Sequence, residues 1–204
     1  MIIKDFDKQI TPYYNDYLAN VSDMAPSLKT LKTLILLCSP GASVVDLGSG
    51  FSSFVLAYYA DSLDLNIWSI DDSPEWLMRS EKFCTKHGYD QPLFLLWNTY
   101  EQLRTVSRDM VFFDMGRTEK RPQYYTHVLN NNINPHTVIL FDDMHKTILK
   151  NALDRELSNK HYHEQDIKDL TLDQYGRYCR LIYGITKSNG EPICVTPSIE
   201  TNRQ

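Results

Sequence analysis

The chain has 204 residues, of which 42% are hydrophobic and 23% charged, a balance typical of a globular protein with one α/β domain. Its formal net charge of -5 at pH 7 provides no basic surface for nucleic acid, so we expect no nucleic-acid partner. The sequence contains no apolar run of signal-peptide or membrane-spanning length, and we therefore predict a cytoplasmic protein without a membrane partner.

The N-terminal part of the sequence predicts two helices. Three tyrosines between Pro12 and Asn20 favour a short aromatic helix or turn. Leucines at helical spacing predict a longer helix from Pro26 to Cys38, which Pro40 ends.

Strands and helices alternate along the rest of the chain. Apolar runs predict seven strands, at Ser43–Leu47, Leu65–Ile70, Leu93–Trp97, Asp109–Phe113, Thr137–Phe141, His161–Ile167 and Arg177–Thr186. Helices are predicted at Phe51–Ala60, Pro74–His87, Tyr100–Val106, Pro122–Asn131 and Lys146–Ser158. After the turn pair Asn189-Gly190, the tail either adds a strand near Ile193 or frays.

This alternation predicts an α/β fold of three layers. We expect a doubly wound, mainly parallel, seven-stranded sheet with helices on both faces and an antiparallel last strand. The apolar runs are continuous, as in strands that are buried on both faces. We divide the chain into an N-terminal helical cap (1–25), the main domain (26–187) and a C-terminal hairpin or tail (188–204).

Cysteine spacing indicates no metal or disulfide framework. The four cysteines Cys38, Cys84, Cys179 and Cys194 are widely separated and form no CxxC pair. In a reducing compartment we expect them to be small residues of the core.

The segment Val44–Gly50, with the sequence VVDLGSG, joins the first predicted strand to a helix. Gly48 and Gly50 allow backbone conformations that other residues avoid and let a ligand approach the main chain. An ordinary strand-to-helix turn would also fit these two glycines, so the loop needs support from its surroundings.

Asp71 supplies that support because it ends the next strand, twenty-five residues after Asp46. A carboxylate there can accept hydrogen bonds from both ribose hydroxyls of an adenosine cofactor. Asp46 itself precedes the glycines, where it could hold a sulfonium or amino group directly or through water. The alternative for Asp71 is capping of the helix that begins at Pro74.

A nicotinamide cofactor is a weaker alternative for the same loop. Its fingerprint requires a third glycine, and Ser53 stands at that position. The chain has one Tyr-x-x-x-Lys spacing, Tyr183 to Lys187, and it lies on a predicted strand instead of a helix.

The segments Val45–Gly50 and Trp68–Asp71 resemble the first two motifs of class I S-adenosylmethionine-dependent methyltransferases. The resemblance implies that the first loop wraps the methionine part of the cofactor and that Asp71 binds ribose. It assigns cofactor-binding roles to Asp46, Gly48, Ser49, Gly50, Asp71, Asp72, Trp97 and Asn98. In this assignment Asp72 lies beside adenine, and so do Trp97 and Asn98, although Trp97 fits the core equally well.

Acids also end the fourth and fifth predicted strands, at Asp114 and at the pair Asp142-Asp143. Three carboxylates at neighbouring strand ends repel one another unless positive charge lies between them. Magnesium, which prefers oxygen ligands, is one solution. A basic side chain is another, and the candidates are Arg117, Lys120, Arg121 and Lys146. The acids could also simply cap the helices that follow.

This second stretch resembles catechol O-methyltransferase and its metal-dependent relatives. The resemblance implies that Asp114, Asp142 and Asp143 hold magnesium, which gathers two acceptor oxygens and lowers a hydroxyl pKa. Arg117 stands where those enzymes carry a lysine base, and it is a poor base because arginine stays protonated. His145 could instead serve as a base, a metal ligand or a helix-start residue.

The sequence therefore predicts methyl transfer from S-adenosylmethionine to an oxygen of a small molecule. The predicted catalytic residues are Asp114, Arg117, Asp142, Asp143 and His145. A non-catalytic cofactor-binding protein on the same fold and a nicotinamide-dependent oxidoreductase are the alternatives. A homodimer is compatible with the sequence.

Overall fold

Strands and helices alternate, as the sequence predicts, in the computed structural model, which describes residues 3, 5–103, 108–131 and 135–187. The strands are β1 (Ser43–Leu47), β2 (Asn66–Asp71), β3 (Leu93–Leu96), β4 (Met110–Phe113), β5 (Val138–Phe141), β6 (Lys160–Gln165) and β7 (Arg180–Lys187). The helices are α1 (Phe6–Asn20), α2 (Leu28–Leu37), α3 (Phe51–Leu63), α4 (Pro74–Lys86), α5 (Trp97–Tyr100), α6 (Arg121–Asn131), α7 (Thr147–Leu157) and α8 (Lys168–Thr171).

The seven strands form one sheet in the order β3-β2-β1-β4-β5-β7-β6. The first five strands pair in parallel, while β7 runs antiparallel to both β5 and β6. The predicted seven-stranded, mainly parallel sheet with an antiparallel last strand is confirmed. The chain order reverses at β1, between β2 and β4, which is where open α/β sheets place their ligands.

Alternate residues of each central strand face opposite layers of helices. On β4, Met110 and Phe112 join a core with side chains of α1 to α4. Val111 and Phe113 point the other way, into a core built largely from α5, α6 and α7. Both cores are buried, which explains why the strand sequences are continuous apolar runs. The three-layer prediction is therefore confirmed.

Helix α1 is longer than predicted. It begins at Phe6 and contains Pro12, which the sequence analysis takes as the start of the helix. Burial of Phe6 and Ile10 on one face holds the first turns against the domain. The ring of Phe6 stacks on Tyr59 of α3 at 6.0 Å. The division of the chain at residues 25 and 187 stays a prediction.

Another difference from the predicted elements lies after β3. That strand ends at Leu96 instead of Trp97, and a short helix begins at Trp97, three residues before the predicted one. The helix α8 is not predicted by the sequence pattern because four residues are too few for an amphipathic period. The tail with Ile193, and residues 104–106 of the helix predicted at Tyr100–Val106, lie outside the described residues.

Cys38, Cys84 and Cys179 are free and buried, as expected, while Cys194 lies outside the described residues. Across the part of the chain that the structure describes, every helix is too short or too polar to cross a membrane.

Candidate functional site

A cavity of about 1240 Å³ opens at the carboxyl ends of β1, β2, β4 and β5. Its walls include the loops that follow these four strands, together with residues 23–26 and Arg177. This volume exceeds that of a typical pocket for a single drug-sized ligand, so two small molecules can lie in it side by side.

The glycine loop forms one end of the cavity. The backbone N–H groups of Gly48 and Ser49 donate to the carbonyl oxygen of Ile70, at 2.8 and 3.2 Å, which ties the loop to the end of β2. Gly48 has a φ of +115°, and an added Cβ would lie 2.6 Å from the carbonyl carbon of Asp114. Only glycine lets the loop pass this close to the end of β4.

Asp46 lies behind this loop and is fully buried. Its carboxylate accepts hydrogen bonds from Ser52 Oγ at 2.9 Å and Ser53 Oγ at 2.6 Å. Burial raises the pKa of Asp46 to about 7, although these two hydroxyls act in the opposite direction. Asp46 is not among the residues that line the cavity, so the structure places it where it would act on a ligand through other groups.

Ser53 continues this buried polar network away from Asp46. Its Oγ lies 2.7 Å from Ser69 Oγ, which lies 3.0 Å from Ser49 Oγ. Ser53 Oγ also accepts a hydrogen bond from the backbone N–H of Gly50 at 3.1 Å. The serine at the third-glycine position therefore helps to fix the glycine loop, a role that sequence spacing did not reveal because the network depends on Ser69 of the neighbouring strand β2.

Asp71 is the last residue of β2 and Asp72 follows it, beside the glycine loop, and both line the cavity. Asp71 is buried, and its Oδ1 accepts from the backbone N–H of Ser73 at 2.8 Å. Burial raises the pKa of Asp71 to about 7, and the neighbouring Asp72 adds to this effect. Asp72 is exposed and accepts a hydrogen bond from Tyr124 Oη at 2.7 Å.

Trp97 and Asn98 do not reach the cavity lining. Trp97 is 6% exposed and packs against Tyr124 and His127, with ring centroids 4.9 and 5.0 Å away. Asn98 is exposed on α5. Their predicted contact with adenine gains no support from this geometry, and Trp97 has the packing of a core residue.

The acids after β4 and β5 come together at the same edge of the sheet, as predicted. Arg121 Nη2 lies 3.0 Å from Asp114 Oδ1, and Arg121 Nη1 lies 3.3 Å from Asp143 Oδ2. Lys146 Nζ lies 2.5 Å from the same Asp143 oxygen. Of the alternatives that the sequence leaves open for the positive charge, the structure favours Arg121 and Lys146.

Asp142 is buried on the sheet side of this cluster. Its Oδ1 accepts from the backbone N–H of Asp143 at 2.7 Å and from Cys179 Sγ at 3.2 Å. Burial, followed by the charge of Asp143, raises its pKa above the ordinary value. Asp143 has a φ of +63°, a conformation that non-glycine residues adopt rarely and that occurs preferentially at functional sites.

His145 and Arg117 also line the cavity. His145 Nδ1 is buried and lies 3.7 Å from Asp143 Oδ1, which is longer than a hydrogen bond. Arg117 is exposed, and within the described residues its side chain makes no ion pair with the acids. His145 is therefore placed closer to the acid cluster than Arg117.

The predicted magnesium site is not supported. Among the described residues, no group of three histidine, cysteine, aspartate or glutamate side chains could hold a metal ion. The carboxylates of Asp114 and Asp143 are instead paired with Arg121 and Lys146.

The predicted N-terminal helical cap supplies part of a cavity wall, although the sequence did not single out the residues that contribute to it. Residues 23–26 line the cavity, and the carbonyl oxygen of Ala25 accepts from Arg177 Nη1 at 3.2 Å. Tyr17 is fully buried beside the glycine loop, and a Cβ on Gly50 would lie 3.5 Å from its Oη. These contacts join residues far apart in the chain, so spacing along the sequence could not reveal them.

Solved structures of methyltransferases share this fold. A methyltransferase of Podospora anserina with bound S-adenosylhomocysteine aligns with a TM-score of 0.64 and 15% identity, over 85% of this chain and 86% of that one. An O-methyltransferase of Bacillus cereus in complex with S-adenosylhomocysteine aligns with a TM-score of 0.60 and 15% identity, over 86% and 90% of the two chains.

An O-methyltransferase of Streptomyces achromogenes involved in tomaymycin synthesis, in complex with S-adenosylmethionine, has a TM-score of 0.59 and 17% identity, covering 86% of this chain and 88% of that one. No protein-family model and no curated protein matches the sequence. At these identities the likeness establishes the fold, which is the Rossmann-like fold of class I methyltransferases.

Proposed function

We propose that this protein transfers a methyl group from S-adenosylmethionine to an oxygen atom of a small molecule. The observation that carries the proposal is one continuous cavity, lined by the glycine loop and Asp71 after β1 and β2 and by Asp114, Asp142 and Asp143 after β4 and β5. The fold neighbours with bound S-adenosylmethionine or S-adenosylhomocysteine, two of them O-methyltransferases, support the same reaction.

The cofactor end fits an adenosine with a short amino-acid chain. Asp71 would accept hydrogen bonds from the ribose hydroxyls, which favour its ionised form and offset the cost of its burial. Gly48, Ser49 and Gly50 would lie along the methionine chain, where the absence of large side chains leaves the backbone accessible. Asp72 would lie on the adenine side of Asp71.

The bound cofactor supplies a methyl group on a positively charged sulfur, which leaves as a neutral thioether. The new bond joins the acceptor oxygen to the methyl carbon while the carbon–sulfur bond breaks and its electron pair stays on sulfur. The protein therefore needs mainly to align the acceptor and to exclude water. His145 is the described group best placed to accept the acceptor's proton, with Asp143 behind its Nδ1.

The alternatives fit the cavity less well. A purely cofactor-binding protein needs no space beyond the cofactor, whereas this cavity continues past the glycine loop to residues 142–146. A nicotinamide cofactor needs a glycine where Ser53 stands, and the hydroxyl of Ser53 is committed to Asp46. We include a cytoplasmic location because the three described cysteines are free thiols. A homodimer stays a prediction.

Isothermal titration calorimetry with S-adenosylhomocysteine tests the proposal. We expect measurable binding by the wild-type protein, and Asp71→Asn should weaken it by about tenfold or more because one ribose acceptor becomes an amide. Asp61→Asn, on the exposed side of α3, is the matched control and should bind normally. Absence of heat with folded wild-type protein at millimolar ligand would reject S-adenosylmethionine as the cofactor.

A further inference from the structure

Two cations of the protein, Arg121 and Lys146, already pair with the acidic cluster of Asp114, Asp142 and Asp143. Arg121 is the central one, and its side chain is 6% exposed. Besides its ion pairs with Asp114 and Asp143, it donates from Nη2 to the carbonyl oxygens of Asp114 at 3.1 Å and Gly116 at 3.2 Å. Such a buried, multiply bonded guanidinium is a fixed part of the structure, because releasing it would leave several acceptors unpaired.

Few donors of Arg121 remain for a ligand. A guanidinium has five N–H groups. One on Nε points to Gly116, one on Nη1 to Asp143, and both on Nη2 to oxygens of Asp114 and Gly116. Arg121 therefore serves the carboxylates and the loop after β4, and it is a positioning residue.

One oxygen of each of the three carboxylates is already engaged by a donor of the protein. Asp143 Oδ2 is shared by Arg121 and Lys146, and Asp142 Oδ1 accepts two hydrogen bonds. A divalent ion entering between Asp114 and Asp143 would lie within a few ångströms of two positive charges, which disfavours its binding. The donor set does not fit a magnesium ion.

We propose that Arg121 takes the place that a divalent cation has in the catechol O-methyltransferase group, so that this acceptor site is metal-independent. What this inference says of the methyl acceptor rests on the proposed function. The exclusion of a metal ion rests on the ion pairs alone. A metal gathers two oxygens of one substrate, and Arg121 has no such pair of free positions. Arg121 therefore cannot hold the two adjacent oxygens of a catechol as a metal ion does.

Binding of Mn²⁺, followed by electron paramagnetic resonance of the free ion, tests the proposal without any methyl acceptor. The wild-type protein should show a dissociation constant above about 1 mM. The double variant Arg121→Met/Lys146→Met leaves the three carboxylates without their cations, and it should bind Mn²⁺ at least about tenfold more tightly. Lys120→Met is the matched control, because Lys120 lines the same cavity and makes no ion pair in the described part of the chain.

Two results would overturn the proposal. One is tight Mn²⁺ binding by the wild-type protein that Asp114→Asn abolishes. The other is a folded double variant that binds Mn²⁺ no better than the wild type, because its carboxylates would then not lie around a cation position. If the double variant fails to fold, the single variant Arg121→Met replaces it. Each protein is also titrated with S-adenosylhomocysteine. Absence of binding by the wild type would reject the proposed function, whereas a contrary Mn²⁺ result with normal S-adenosylhomocysteine binding would reject only the metal-independent site.

Discussion

Ser53 Oγ donates a 2.6 Å hydrogen bond to Oδ2 of Asp46, and both residues are fully buried under the glycine loop. Removing this hydroxyl leaves a buried carboxyl group with Ser52 as its remaining described side-chain donor. We expect Ser53→Ala to lower the free energy of unfolding by about 1–3 kcal/mol. Urea denaturation measures this change.

The control for Ser53→Ala is Ser158→Ala, at the end of α7. Ser158 Oγ also donates a hydrogen bond, to the carbonyl oxygen of Arg155, but that bond is exposed to water. Loss of this exposed hydrogen bond should lower the free energy of unfolding by less than about 0.5 kcal/mol. Equal losses in the two variants would contradict a special role for the network around Asp46.

The buried carboxyl of Asp46 makes stability depend on pH. Burial raises its pKa to about 7 in the folded protein, against about 3.9 in an unfolded chain. Between these values the folded state binds more protons than the unfolded state, so the contribution of this group is complete below pH 4 and is lost as pH rises through 7. The asparagine of Asp46→Asn cannot titrate. We therefore expect this variant to reduce the decrease in the free energy of unfolding between pH 4 and pH 8 by an amount on the order of 3 kcal/mol.

The measurement for Asp46 is the free energy of unfolding in urea at several pH values between 4 and 8. Burial also raises the pKa values of Asp71 and Asp114 to about 7, so the Asp46→Asn variant keeps part of the pH dependence. The exposed control Asp61→Asn should leave the whole profile unchanged. If the profile of Asp46→Asn fell as steeply with pH as that of the wild type, Asp46 would be ionised in the folded protein across this range.

Gly48→Ala should damage both the fold and the cofactor end of the cavity. The new Cβ would lie 2.6 Å from the carbonyl carbon of Asp114, on a residue whose φ is +115°. Backbone strain and the close contact together should lower the free energy of unfolding by about 2–5 kcal/mol. Because the loop is displaced, the variant should also lose binding of S-adenosylhomocysteine. Thermal unfolding and calorimetry measure the two effects.

Gly41→Ala separates backbone strain from contact with a neighbour. Gly41 has a φ of +79°, but an added Cβ meets nothing within 4 Å. Gly41→Ala should therefore lower the free energy of unfolding by only about 1–2 kcal/mol and leave ligand binding intact. If Gly48→Ala were no worse than Gly41→Ala, the close approach of the loop to β4 would be unimportant.

The sequence predicts the fold well because its signals are local. Continuous apolar runs mark the central strands, and the acids at their ends, such as Asp71 and Asp114, lie on the cavity as expected. The sequence also predicts that Asp114 and Asp143 lie at the same edge of the sheet, because they follow β4 and β5, which are neighbouring parallel strands and end side by side.

The pairing of side chains was not predictable in the same way. Four cations stand near the acids in sequence, and the choice of Arg121 depends on how α6 turns its first residue toward the end of β4. Asp46 belongs to a motif, yet the serines of α3 bury it behind the loop. Trp97 follows β3 as expected, but its ring packs on α6 and away from the cavity.

Tyr124 holds the exposed Asp72 through its 2.7 Å hydrogen bond, and this contact yields a final prediction. If Asp72 lies beside adenine, fixing its side chain in advance lowers the entropy lost when the cofactor binds. Tyr124→Phe should therefore weaken binding of S-adenosylhomocysteine by about two- to fivefold, which corresponds to less than about 1 kcal/mol. Calorimetry measures the affinity.

The neighbouring Tyr125 provides the control. Its hydroxyl is buried and has no hydrogen-bond partner among the described residues, so Tyr125→Phe removes the same atom without releasing Asp72. We expect unchanged affinity and equal or greater stability, because a buried hydroxyl without a partner is unfavourable. Weaker binding in both variants would point to a general change in α6, whereas an effect confined to Tyr124→Phe would connect Asp72 to the cofactor.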